Sequence, residues 1–200
     1  MRTLIAVPCM DYVHIRFAMS LATMLRIGET KLSAMSNASV YQARNALAAE
    51  AIDDGCDWIL WLDSDMVFGA DLMQRLVSDV DGGEHRDFVS ALYFKRLLPT
   101  APVIYDRVEY GKAHTIEEIP DGLFQIRGAG FGACMTSVTM MENMFNRYGP
   151  PFNPMDGLGE DMSFCTRAEE AGYTMYCDSS IQVGHVGSFV FTRSVYEKLG

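Results

Sequence analysis

Three sets of side chains carry chemistry: Asp63 and Asp65 in WILWLDSDMVF, Glu160 and Asp161 in GLGEDMSFC, and His185 in GHVG. Carboxylates two residues apart can hold one divalent cation, directly and through water, with substrate phosphates completing the shell. The same pair can supply a nucleophile and its acid/base partner, or form an ordinary Asp-Ser-Asp turn. Glu160 and Asp161 stand where a helix is expected to start. There they can offset the helix dipole and cap free N–H groups. A lone histidine is usually structural or simply exposed, but beside the two aspartates it would serve as a third ligand to a phosphate-bound metal.

These residues need elements to position them. Residues 3–7 read as a buried strand stopped by Pro8, and residues 12–27 carry apolar side chains at helical spacing up to Gly28. A second strand is expected at 31–36. Residues 39–54, SVYQARNALAAEAIDD, make a helix that Ser39 caps and Gly55 follows. Residues 57–62 form a third strand leading into DSD. Further on, a helix is expected at 69–80 and a strand at 87–94. A proline-broken region at 97–125 holds a strand near 102–105 and hairpin segments. Helices at 137–147 and 161–171 are separated by a loop carrying Pro150, Pro151 and Pro154. A strand near 174–183 precedes GHVG and a polar tail. Strands alternating with helices predict an α/β fold of βαβ units around a mostly parallel sheet. The length suits one domain over 1–200. In such sheets ligands gather beyond the C-terminal ends of strands, where Asp63 and Asp65 lie.

The totals narrow the partners. Apolar residues make up 49 % of the 200, and 16 basic against 26 acidic side chains leave a net charge of −10 with no basic block. Nucleic acid and anionic membrane are therefore poor main partners. Five cysteines without CxxC spacing indicate reduced thiols. The apolar run before Pro8 is too short for a signal segment, and no stretch is long enough to span a bilayer. A soluble, cytoplasmic protein is expected.

The order of the pieces resembles a GT-A-fold glycosyltransferase, of the small single-domain type related to family 2. Its marks are the apolar strand into DSD, then a Gly-Glu-Asp helix start, then a histidine after the last strand. The opening IAVPCMD, the run VYQARNALAAEAIDDGCDWILWLDSD and GAGFGACM before a helix add to the likeness. The resemblance implies a GT-A-like central sheet with a small antiparallel elaboration, and Mn²⁺ or Mg²⁺ held by Asp63, Asp65 and His185. It implies a UDP- or GDP-sugar donor bound at Asp63, Ser64 and Asp65, with Pro8 and the next loop under the base and ribose. Arg44 would touch the donor, and Gly128 to Gly130 would lie near the sugar and acceptor. Asp161, with Glu160 beside it, would be the base of an inverting transfer to an unknown acceptor hydroxyl. Homo-oligomerisation and a partner protein stay open.

Rival readings remain. LDSDMV also fits the D-x-D-x-[VT] of haloacid-dehalogenase-like phosphatases, with Asp63 as nucleophile and Asp65 as acid/base. Against that, its late acidic motif should close an apolar strand, whereas Glu160 follows the loop PPFNPMDGLG. GAGFGA matches a dinucleotide fingerprint as a string but comes late, while the first turn, VPCMD, lacks glycine. It reads as close packing near substrate. A non-catalytic nucleotide-sugar binding protein of the same shape is a further alternative, as is a nucleotidyltransferase. The latter lacks a basic glycine loop near residue 10. The methionine cluster MTSVTMMENMF, Trp58 and Trp61 read as core packing, and His14, His85 and His114 show no partner pattern.

Overall fold

Every residue of WILWL is buried, because this strand lies inside a sheet whose two faces are both covered. The computed structural model describes residues 1–10, 12–109, 112–155 and 157–199, without the side chain of Glu109. Asp11 of IAVPCMD and Asp156 of the proline-rich loop fall outside the described residues. The first half of the chain runs β1 (Arg2–Pro8), α1 (Ile15–Thr23), β2 (Glu29–Met35), α2 (Val40–Asp53), β3 (Trp58–Leu62), β4 (Met66–Val67), α3 (Leu72–Asp81) and β5 (Phe88–Leu92). Next come β6 (Ile104–Glu109), β7 (Lys112–Thr115), β8 (Leu123–Ile126), β9 (Gly128–Ala129), β10 (Ala133–Ser137) and α4 (Val138–Tyr148). The chain ends with α5 (Glu160–Glu170), β11 (Met175–Gln182), β12 (Gly184–Val186), β13 (Val190–Phe191) and α6 (Arg193–Leu199).

The central sheet has seven strands in the order β2-β1-β3-β10-β5-β11-β8. β1, β2, β3, β5 and β11 run one way, and only β8 and β10 oppose them. The expected mostly parallel α/β sheet with an antiparallel elaboration is what forms. Alternate residues face opposite layers. Leu4, Ala6, Ile59 and Trp61 join one core with Leu47, Ala51, Met141, Met144 and Phe164 from α2, α4 and α5. Ile5, Val7, Trp58, Leu60 and Leu62 join the other with Phe17 from α1 and Leu72, Met73 and Leu76 from α3. Trp61 also donates Nε1–H to Thr136 Oγ1 at 2.9 Å, satisfying its one polar atom inside the core.

Local rules explain the helix that carries Arg44. The Ser39 backbone N–H donates to Gln42 Oε1 at 3.1 Å, half of a capping box. Gly55, at φ 63°, takes the left-handed turn that ends α2 and drops the chain into β3. Where the outcome departs from expectation, a long-range bond is responsible. The helix expected at 12–27 stops at Thr23: Met24 is extended, and the Leu25 N–H goes to the Ala70 carbonyl at 2.8 Å instead of continuing the helix. RGAGFGACMTS contains β9 and all of β10, which slots antiparallel between β3 and β5. The polar tail is β13 and α6. Among the described residues no helix is long and apolar enough to cross a membrane.

Candidate functional site

β1 and β3 end side by side, and their C-terminal ends open into a cleft of about 670 Å³. Pro8, Arg44, Asp63, Ser64, Asp65, Glu160, Asp161 and His185 all line it. Each arrives by a separate device. Pro8 ends β1, the DSD turn follows β3, and Arg44 comes from the first turns of α2. Glu160 and Asp161 open α5, which starts after Gly159. His185 is placed by strand pairing: β12 runs antiparallel to β4, with His185 opposite Met66, and the Val186 N–H donates to the Asp65 carbonyl at 2.9 Å.

Arg44 ties the acids together. Its side chain is 2 % exposed; Nη2 lies 3.1 Å from Asp63 Oδ1, and Nε lies 3.5 Å from Asp161 Oδ1 and 3.9 Å from Glu160 Oε1. The guanidinium also sits over the Phe131 ring, 5.3 Å from its centroid. Burial opposes its charge, yet Asp63, Asp161 and Glu160 outweigh burial and raise its pKa. Such an ion needs all its partners, since a buried charge without them is very costly. The resemblance implies that Arg44 touches the donor; in the structure it lines the cleft and pairs with the acids.

Asp65 has different neighbours. The Arg96 guanidinium pairs with its Oδ2, and His185 Nε2 stands 3.4 Å from the same oxygen. His185 Nδ1 is 2.9 Å from the Phe94 carbonyl, which can only accept, so Nδ1 carries the proton. Nε2 is then the nitrogen that faces the Asp65 carboxylate, and a His with its far nitrogen fixed by a carbonyl is the usual arrangement of a metal-binding imidazole. The donor set of one nitrogen and carboxylate oxygens suits Mn²⁺ or Mg²⁺. No group of three His, Cys, Asp or Glu is gathered as a metal centre among the described residues. The reason is visible: Asp63 is turned to Arg44 while Asp65 is turned to His185 and Arg96.

The environments push the acids apart. Burial raises the Asp161 carboxyl to about 7; Arg44 pulls it down, and Glu160 and Asp63 push it up again. Burial also raises Asp63, against the pull of Arg44. For Asp65 burial is outweighed by His185 and Arg96, so its pKa falls. One acid is thus poised to exchange a proton near neutrality, and its neighbour across the cleft stays anionic.

Tyr93, Lys95 and Arg96 also line the cleft and carried no sequence motif. The available signal was positional: they follow β5, another strand that ends at the same edge as β3. Tyr93 lies edge-on to His185, with centroids 5.7 Å apart, and its hydroxyl accepts from the Gly132 N–H at 3.2 Å. A Cβ on Gly130 would run into that hydroxyl. GAGFGA is therefore a glycine run that lets Tyr93 close against the backbone. The phosphatase reading fits poorly, since Glu160 begins a helix and the third central strand carries Asp63.

No known family profile matches the chain, and no curated protein sequence does. Solved structures do. A197 from STIV superposes with a TM-score of 0.69 at 21 % identity, over 94 % of this chain and 86 % of its own. GalNAc-T7, crystallised with UDP, GalNAc and Mn²⁺, superposes with a TM-score of 0.66 at 10 % identity, over 94 % of this chain. The fold is GT-A-like. The GT-A-like chain spans 44 % of the length of GalNAc-T7.

Proposed function

We propose that this GT-A-like chain is a metal-dependent glycosyltransferase that moves a sugar from a nucleotide-diphosphate donor to an acceptor hydroxyl with inversion. One observation carries the reading: Asp161, raised to about 7, shares a cleft with the DSD turn and His185. Inverting transfer needs one base on the acceptor side and a cationic surface for the departing diphosphate.

Asp161 takes the proton from the acceptor hydroxyl as that oxygen attacks the sugar. Arg44 holds Asp161 and Asp63 in place from below, so both carboxylates face the cleft without repelling each other out of it. Lys95 and Arg96 offer positive charge to the diphosphate oxygens. Pro8 and Ser64 shape the end where a base and ribose would rest. Asp65 and His185, with Asp63, would hold Mn²⁺ or Mg²⁺, and that ion would supply charge stabilisation to the leaving diphosphate. In this reading Asp63 serves as a ligand and not as a nucleophile.

The test is a calorimetric titration of UDP-, GDP- and CMP-sugars with and without Mn²⁺. Saturable binding of at least one, strengthened by Mn²⁺, is expected; no response to any nucleotide overturns the reading.

A further inference from the structure

The segment that leaves β5 serves both members of the Asp65–His185 pair. The Phe94 carbonyl fixes His185 Nδ1, and two residues later the Arg96 guanidinium takes Asp65 Oδ2. His185 Nε2 stands 3.4 Å from that same oxygen. Arg96 therefore sits on the atom that a cation held by Asp65 and His185 would need. A guanidinium and a divalent cation repel each other, more strongly in a partly buried cleft than in bulk water. The two compete for one carboxylate oxygen.

The backbone around Arg96 holds its root and leaves its head free. The Lys95 N–H donates to the Ala101 carbonyl at 2.8 Å, and the Val103 N–H to the Tyr93 carbonyl at 3.0 Å. Phe94 bridges Pro102 between them, and the Thr100 hydroxyl closes the loop on the Lys95 carbonyl. Within these ties residues 95–99 are all exposed. At the root of the side chain, Gly187 packs close, since a Cβ there would come within 3.1 Å of Arg96 Cβ. Beyond it the Arg96 side chain is 54 % exposed, against 24 % for Asp65. An exposed ion pair contributes little net stability, and an exposed side chain changes rotamer quickly. The arm can leave Asp65 without disturbing the backbone that fixes His185.

We infer that Arg96 is a displaceable counter-ion: it holds Asp65 until a divalent cation takes that carboxylate, and then turns to the diphosphate of the donor. Release uses the geometry of Asp65, His185 and Arg96, and capture rests on the transferase reading proposed above. The freed guanidinium needs a new anion, and its planar fork matches two phosphate oxygens at once. Arg96 already lines the cleft where they would lie. Cation and donor are thereby coupled, each favouring the other through one side chain.

Arg96→Gln separates the two steps, because they change in opposite directions. Titrated with Mn²⁺ alone and read by electron paramagnetic resonance, the variant should bind about two- to five-fold more tightly than wild type, the worth of an exposed ion pair. Titrated with UDP or GDP in the presence of Mn²⁺, it should bind about ten-fold more weakly, having lost a hydrogen bond to a charged group. The variant should keep the wild-type melting temperature, since the side chain is exposed. Phenylglyoxal labelling of the wild-type chain, read at Arg96 by mass spectrometry, should quicken with Mn²⁺ and slow again when UDP or GDP is added. Equal or weaker Mn²⁺ binding by Arg96→Gln overturns the inference whatever the nucleotides do, as does labelling that Mn²⁺ leaves unchanged. Wild-type Mn²⁺ binding with no response to any nucleotide would instead overturn the transferase reading and the capture step, while the metal titration alone still decides the release of Asp65.

Discussion

His185 Nε2 lies 3.4 Å from Asp65 Oδ2, and the far side of the same ring is fixed to the Phe94 carbonyl at 2.9 Å. The first distance brings a histidine after the last central strand to the turn after the third. The second decides which nitrogen is free to bind. The pair is brought together by backbone pairing of β12 with β4.

That relationship makes the first prediction. Asp65→Ala and His185→Ala should each cost Mn²⁺-dependent nucleotide binding more than the roughly 10–100-fold typical of an outer-shell partner. Isothermal titration with UDP and Mn²⁺ reads it directly. Wild-type affinity in both variants would remove the metal assignment.

Arg44 supports a stability prediction. Arg44→Met leaves Asp63, Glu160 and Asp161 facing one another without their counter-ion. The loss should be at least about 2 kcal/mol. It should fall below the 3–5 kcal/mol of a fully buried broken pair because the carboxylates keep some contact with water. Urea unfolding at neutral pH measures it, and a change within about 0.5 kcal/mol would show that the three acids do not rely on Arg44.

Asp161 sets the pH behaviour. As a base it works deprotonated, so the transfer rate should rise through about pH 7 and level off above it. Asp161→Asn should lower the rate by about 10²–10⁴-fold with nucleotide affinity retained. Stability runs the other way. The folded carboxyl holds its proton up to about 7, whereas the unfolded one loses it near 3.8. This group's contribution therefore declines as pH rises through that window, and Asp161→Asn should flatten the slope. Chemical denaturation at several pH values would check the sign.

Gly130 tests the packing behind the cleft. Its Cβ would meet the Tyr93 hydroxyl and come within 2.9 Å of Val103 Cγ1. Gly130→Ala should cost about 1–3 kcal/mol by overpacking. Adding Tyr93→Phe should recover part of the loss by removing the clashing oxygen. Thermal melts of the single and double variants give the coupling, and strict additivity would contradict the contact.

Much of this was legible along the chain because its signals are local. Continuous apolar runs mark β1 and β3, Ser39 and Gly55 bracket α2, and Gly-Glu-Asp opens α5 within a residue of its expected start. The rule that strand C-termini collect ligands then placed Asp63 and Asp65 at one edge, and only the resemblance brought Asp161 to them. β10 was not legible. Ala-Cys-Met-Thr-Ser has one β-branched residue, Thr136, and no aromatic to announce a strand, and it is one because β3 and β5 hold it from both sides.

By itself, then, the sequence determined the alternating elements and the acids at their ends, since both follow from periodicity and capping within a few residues. Tertiary structure decided the partners. It put Arg44 beneath three carboxylates and Arg96 on Asp65, set His185 opposite Met66, and left Ile15 and Met19 facing outward. Those outcomes depend on which strands pair and which helix face finds a core. Pairing and packing are settled between residues far apart in the chain, where local propensity has no say.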